Sequence, residues 1–142
     1  MTEAATPRSD RVNICLTKHE TYRQLTEGPR APFKTMKDLF LAAAAVGVKQ
    51  KVKTPLEKRV GIFAWSQFST QEDIPFMYAL ILSFDEPLET LLDQAKMLDI
   101  LEEYANAGIE ELAPDLMSST RPSLTLVNMV LMSQEANVPG RH

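Results

Sequence analysis

Hydrolytic catalysis needs a base beside a nucleophile, and two histidines, His19 and His142, are the residues that could serve near neutral pH. His19 falls in an expected opening turn of helix and His142 is the last residue, so neither is well placed as a base. Phosphate-cradling loops need clustered glycines, whereas the five here stand apart at positions 28, 47, 61, 108 and 140, which excludes a P-loop and a dinucleotide fingerprint. A single cysteine, Cys15, closes no internal disulfide and has no Cys/His set around it. That sets aside a secreted disulfide scaffold and a zinc module, and fits a reducing cytoplasm. With no activating neighbour in sequence, its thiol reads as packing. Asp99, Glu102 and Glu103 are close enough to hold a divalent ion, but on an amphipathic helix such a triplet reads first as a solvated face. The expectation is a protein that is not an enzyme, with no catalytic residues, no metal and no cofactor.

Binding chemistry is written more strongly. The 142 residues carry a formal net charge of −4, unevenly shared: residues 1–60 hold 12 Lys/Arg and 6 Asp/Glu, a net of +6, and residues 61–142 hold 3 and 13, a net of −10. A basic front half could neutralise phosphates and gain from counterion release, while the acidic back half is repelled by the same polyanion. The asymmetry could equally draw the two halves together inside one fold. Two groups of side chains are candidates for nucleic acid. Lys49, Lys51, Lys53, Lys58 and Arg59 stud an irregular stretch and could contact phosphates, with Lys34 and Lys37 enlarging the patch. Arg11, Asn13 and Thr17, followed by Lys18, lie on the polar side of an alternating segment and could read bases if that segment entered a groove. Trp65, with Phe63 and Phe68, could stack on a base but reads as core.

Elements must position these residues. From Arg11 to Thr17 the apolar Val12, Ile14 and Leu16 alternate with polar neighbours, the mark of a half-buried strand. Thr17 with Glu20 has the capping-box spacing for a short helix to about Glu27, stopped by Gly28-Pro29. Thr35 with Asp38 opens a central helix striped by Met36, Leu39, Phe40 and Ala43, with Gly47 as its natural end. Thr54-Pro55 with Glu57 suggests a brief helical turn, and Gly61–Trp65 a buried loop or second short strand. Ser69, Thr70 or Asp73 caps a helix carrying Phe76, Leu80, Ile81 and Phe84, with Pro75 in its first turn. Asp85 is read as the cap of the longest helix, ending at Gly108, followed by a short helix over Ile109–Met117 and a last one from Pro122 carrying Leu124, Val127, Val130 and Leu131.

The predicted fold is therefore mainly α: a compact single helical domain of five or six helices over residues 11–135 with a short N-terminal strand, a disordered arm at 1–10 and a frayed end at 136–142. The strand–helix–helix order matches a ribbon-helix-helix-like start, in which the strand pairs with that of a second copy to give a homodimer; Gly61–Trp65 offers a partner within the chain instead. The opening residues lack a charged start and apolar run, and the longest apolar stretch, Leu39–Val48, is too short to span a bilayer, so no membrane association is expected.

Two strings carry a resemblance: Pro32-Phe33-Lys34-Thr35-Met36-Lys37-Asp38-Leu39-Phe40, followed by Ala43 and Gly47, and Glu102-Glu103-Tyr104-Ala105-Asn106-Ala107-Gly108-Ile109. With the order of segments between them, the chain from about Arg11 to Leu112 resembles the Dnd system-associated protein family, fourth type, a bacterial family encoded beside the genes for DNA phosphorothioate modification and its dependent restriction. The resemblance implies a non-enzymatic accessory or regulatory protein of a phage-defence system, near DNA or DNA-handling subunits. It transfers no catalytic residue. Two readings follow: contact with DNA, plain or phosphorothioate, through the basic N-terminal half, or an adaptor docking a restriction or modification subunit through the acidic helical half. On their own residues, both strings read as helix ends, the second with Gly108 as a C-cap.

Overall fold

The computed structural model describes residues 10–83 and 86–118. The expected N-terminal arm up to Ser9, the Asp85 cap, the helix from Pro122 and the frayed end lie outside those residues. In chain order the elements are β1 (Arg11–Cys15), a 3-10 turn (Leu16–Lys18), α1 (His19–Thr26), α2 (Met36–Gln50), β2 (Arg59–Ala64), a 3-10 turn (Trp65–Gln67), α3 (Asp73–Leu82), a 3-10 turn (Leu88–Leu92) and α4 (Gln94–Ser118). The mainly helical reading holds, but the described residues form four α-helices rather than five or six.

The difference lies in the caps. Thr35 caps α2 as its spacing implies, its hydroxyl accepting the Asp38 amide at 3.1 Å. The helix does not stop at Gly47, however; it runs to Gln50 and closes on Lys51, which takes the left-handed conformation (φ 61°). Thr17 caps nothing, since Leu16–Lys18 tightens into a 3-10 turn and α1 begins at His19 without a side-chain cap. Thr54-Pro55 forms no helical turn. Leu88–Leu92 stays 3-10, and Asp93 then caps α4, its carboxylate accepting the Lys96 amide at 3.2 Å. From there α4 runs unbroken through Gly108, merging the expected long helix with the short one after it.

Gly108 is thus no C-cap. A Cβ on Gly108 would overlap the Ala43 carbonyl oxygen, and one on Gly47 would overlap the Tyr104 carbonyl. These two glycines let α2 and α4 approach backbone to backbone, with position 43 beside 108 and 47 beside 104, so the helices run antiparallel. The two strings that carry the resemblance are the two sides of this crossing. Around it lie Phe40, Leu39, Met97, Leu101, Leu112 and Leu116, all nearly or fully buried. Phe63 and Phe68 are core and meet edge to face at 5.3 Å, and the half-buried Trp65 packs against that core, edge to face with Phe68 at 5.2 Å.

β1 finds its partner within the chain. It pairs antiparallel with β2, Arg11 opposite Ala64 and Cys15 opposite Arg59, with an irregularity between Val12 and Asn13. Its other edge faces α4, where the Asn13 amide donates to the Glu102 carboxylate at 2.7 Å. A ribbon shared between two copies needs a strand free to pair, and both sides of β1 are occupied, so the ribbon-helix-helix-like start is not formed.

Candidate functional site

Glu102, Asn106 and Glu110 follow one another on α4 at four-residue spacing and share one face. That face meets β1, the Leu16–Lys18 turn and the loop between α2 and β2. Glu102 is buried completely and accepts from the Asn13 amide and, at 3.1 Å, from the Arg59 guanidinium. Asn106 donates its side-chain amide to the carbonyls of Thr54 and Pro55, at 3.0 and 3.2 Å. Lys18 donates to Asn106 Oδ1 at 2.6 Å, to the Asn106 carbonyl at 2.8 Å and to Glu110 at 2.7 Å. The Thr54 amide adds a bond to the Glu103 carbonyl at 3.0 Å. This polar seam fixes the loop that carries the lysines to the helix that carries the acids.

Two further ties cross the same halves. Lys53 meets Glu86 at 3.0 Å, lies over the Tyr104 ring at 5.7 Å, and the Tyr104 hydroxyl donates to the same carboxylate. Lys37 meets Asp73 at 2.7 Å beside the N-terminus of α3, where the Ser69 amide donates to the same oxygen. The bond to Asp73 holds the Lys37 ammonium above its ordinary pKa, against the smaller effect of burial. Burial pushes the Asp73 carboxyl up, but the Lys37 and Ser69 hydrogen bonds outweigh it and hold the group below its ordinary value.

The basic candidates divide accordingly. Lys18, Lys37, Lys53 and Arg59 are each matched with a carboxylate from the second half of the chain. Of these, Lys53 and Arg59 remain exposed, as do Lys34, Lys49, Lys51, Lys58, Arg11 and Thr17, and Asn13 is half-buried. Arg11 lies against Gly61, donating to its carbonyl at 3.4 Å. Attraction between the halves therefore accounts for part of the charge asymmetry, with four of the candidate cations paired to carboxylates of the second half. The acidic triplet does not converge either: Glu102 turns inward while Asp99 is exposed, and among the described residues no group of His, Cys, Asp and Glu could hold a metal ion. Glu102 is the correction to the solvated-face reading, because β1 and Arg59 cover it.

Asn106, Tyr104 and Glu86 join the site without standing out in the sequence; for Asn106 the one signal is an asparagine between two alanines inside an apolar stripe. The outer side of α3 is likewise not apparent from local periodicity. This helix buries Met77 and Ile81 and leaves Pro75, Phe76, Tyr78, Ala79 and Leu82 exposed, an outward arc with no charged residue. The signal was the uncharged run from Ile74 to Leu82. No described helix is long and apolar enough to cross a membrane.

No curated protein and no solved structure matches the chain. The family model for DNA sulphur modification system-associated protein 4 matches residues 11–141, well past the Leu112 limit of the resemblance, so the helix expected after Arg121 falls within the family's span rather than being particular to this chain. The chain belongs to that family.

Proposed function

We propose that this member of the DNA sulphur modification system-associated family is a non-enzymatic accessory protein that works as an adaptor, holding another subunit of the modification or restriction machinery through its second, acidic half. The observation that carries the reading is the uncharged outer arc of α3. An ordinary surface helix turns charge to water, and an apolar outer arc is the signature of a contact surface. The ion pairs of Lys18, Lys37, Lys53 and Arg59 with carboxylates of the second half support it from the other side, since they engage cations that DNA contact would need. Co-expression with the modification and restriction subunits tests it: a stoichiometric complex that survives nuclease treatment is expected, and its absence with every subunit overturns the adaptor role.

Direct DNA contact is the second reading, favoured by the exposure of Lys49, Lys51 and Lys58 around the end of α2 and the start of β2, with Lys34 and Arg11 elsewhere on the surface. Phosphate contact by these groups predicts affinity that falls steeply with salt, with a log–log slope reduced by about 0.9 for each contact removed. The triple change Lys49→Glu, Lys51→Glu and Lys58→Glu should abolish it; binding of plain or phosphorothioate duplex that is unchanged in this variant rules the patch out.

A further inference from the structure

We propose that the outer arc of α3, together with the 3-10 turn Leu88–Leu92, is the docking site for a basic amphipathic helix of a partner protein. The proposal deepens the adaptor reading and rests on it. Phe76 and Tyr78 are 41% and 40% exposed, Leu82 56%, Leu88 67% and Leu92 88%, on two elements that pack against each other. Leu92 contributes almost nothing to the core and adjoins Asp93, the cap of α4. On these adjoining elements the fold leaves apolar side chains partly or largely uncovered, and they supply the floor of the proposed site.

Charge selects the occupant. Glu72 stands one turn ahead of Phe76, Glu89 follows Leu88, and Asp93 follows Leu92; all three are exposed. From residue 70 to residue 99 the only basic residue is Lys96. Asp73 and Glu86, the other described acids before Asp99, are paired with Lys37 and Lys53; the rim beside the floor is then Glu72, which also attracts the nearby Lys37 ammonium, with Glu89 and Asp93. An apolar floor with an acidic rim attracts a partner that is apolar on one side and cationic along its flanks, and repels nucleic acid and acidic proteins. A second copy of this chain would set the same acids against one another across a two-fold axis, which argues against self-pairing here. The shape points to a helix rather than a strand: the floor lies on helical elements, where α3 offers a ridge about 15 Å long, suited to anchors at helical spacing and without the open backbone edge that a strand would pair with.

The test uses the isotope-labelled full chain and two probes, a synthetic amphipathic helix of leucine and lysine and its leucine–glutamate counterpart. The lysine probe should shift the amides of Phe76–Leu82 and Leu88–Leu92, and the glutamate probe should not. Leu82→Glu, at an exposed position and therefore without effect on the fold, should weaken the lysine probe at least about tenfold, as loss of an interface anchor does. Glu72→Lys with Glu89→Lys should transfer the preference to the glutamate probe. Equal response to both probes, or shifts confined to other elements, overturns the proposal. So does a concentration-dependent doubling of mass that Leu82→Glu abolishes, which makes the face a self-interface. Movement of the α3 amides on Leu124→Glu with Val127→Glu overturns it as well, because the chain's own C-terminal segment then covers the arc. If a system subunit binds but is indifferent to Leu82→Glu, the adaptor role stands and this docking site falls; if the lysine probe binds the arc while no subunit binds, the reverse holds.

Discussion

Replacing Glu102 separates the fold's use of charge from any surface use. In Glu102→Ala the Asn13 amide loses its acceptor inside the protein, which costs about 1–3 kcal/mol. Arg59 is 47% exposed, so water takes over much of the ion pair and its loss adds no more than about 1 kcal/mol. The space vacated by the buried stem adds about 1 kcal/mol. The expected total is about 3 kcal/mol, or about 12 °C in Tm for a domain of this size. Glu102→Gln keeps an oxygen for the Asn13 amide and should lose only about 1 kcal/mol. Removing Arg59 should then matter more beside the native carboxylate than beside the glutamine, because only the former leaves a buried charge without that partner. Urea denaturation followed by circular dichroism, with unchanged m-values, reads all of these. A loss below about 1 kcal/mol in Glu102→Ala, or equal losses in the alanine and glutamine variants, would refute the assignment of the Asn13 amide as the dominant interaction.

Gly108→Ala should destabilise by about 1–2 kcal/mol, because overpacking against the Ala43 and Gly47 backbones outweighs the gain of about 1 kcal/mol that alanine brings to an ordinary helix interior; a raised Tm would show that α2 and α4 separate without cost. Tyr22 is buried, and among the described residues its hydroxyl has no hydrogen-bond partner, with burial pushing its ionisation far up. Tyr22→Phe should therefore leave stability unchanged or raise it by about 1 kcal/mol in urea titrations, and a comparable loss would reveal an unrecognised partner. Asp73, held below its ordinary pKa, contributes stability that is present above its unfolded value and is lost as pH falls through the folded one. Asp73→Asn should accordingly flatten the acid limb of the stability profile below about pH 4, and an unchanged limb would remove the Lys37–Asp73 contact as its source.

What the sequence determined by itself was local. Periodicity over a few residues suffices for β1, α1, α2 and α3, because side-chain direction within an element depends on spacing alone. Residue counts and spacing set aside clustered-glycine, disulfide and zinc chemistry, which need residue types the chain lacks or scatters. The opposite signs of the two halves are likewise plain in the order of residues. Tertiary structure decided what those signs do, because a charge acts on whatever is brought within a few ångströms: Asn13 and Glu102 are 89 positions apart, and Arg59 and Glu102 are 43 apart. The same holds for Gly108, which has the look of a helix end until Ala43 of α2 is placed against it. It holds too for the apolar arc of α3, since a run of apolar residues becomes a surface only when the rest of the fold leaves it uncovered.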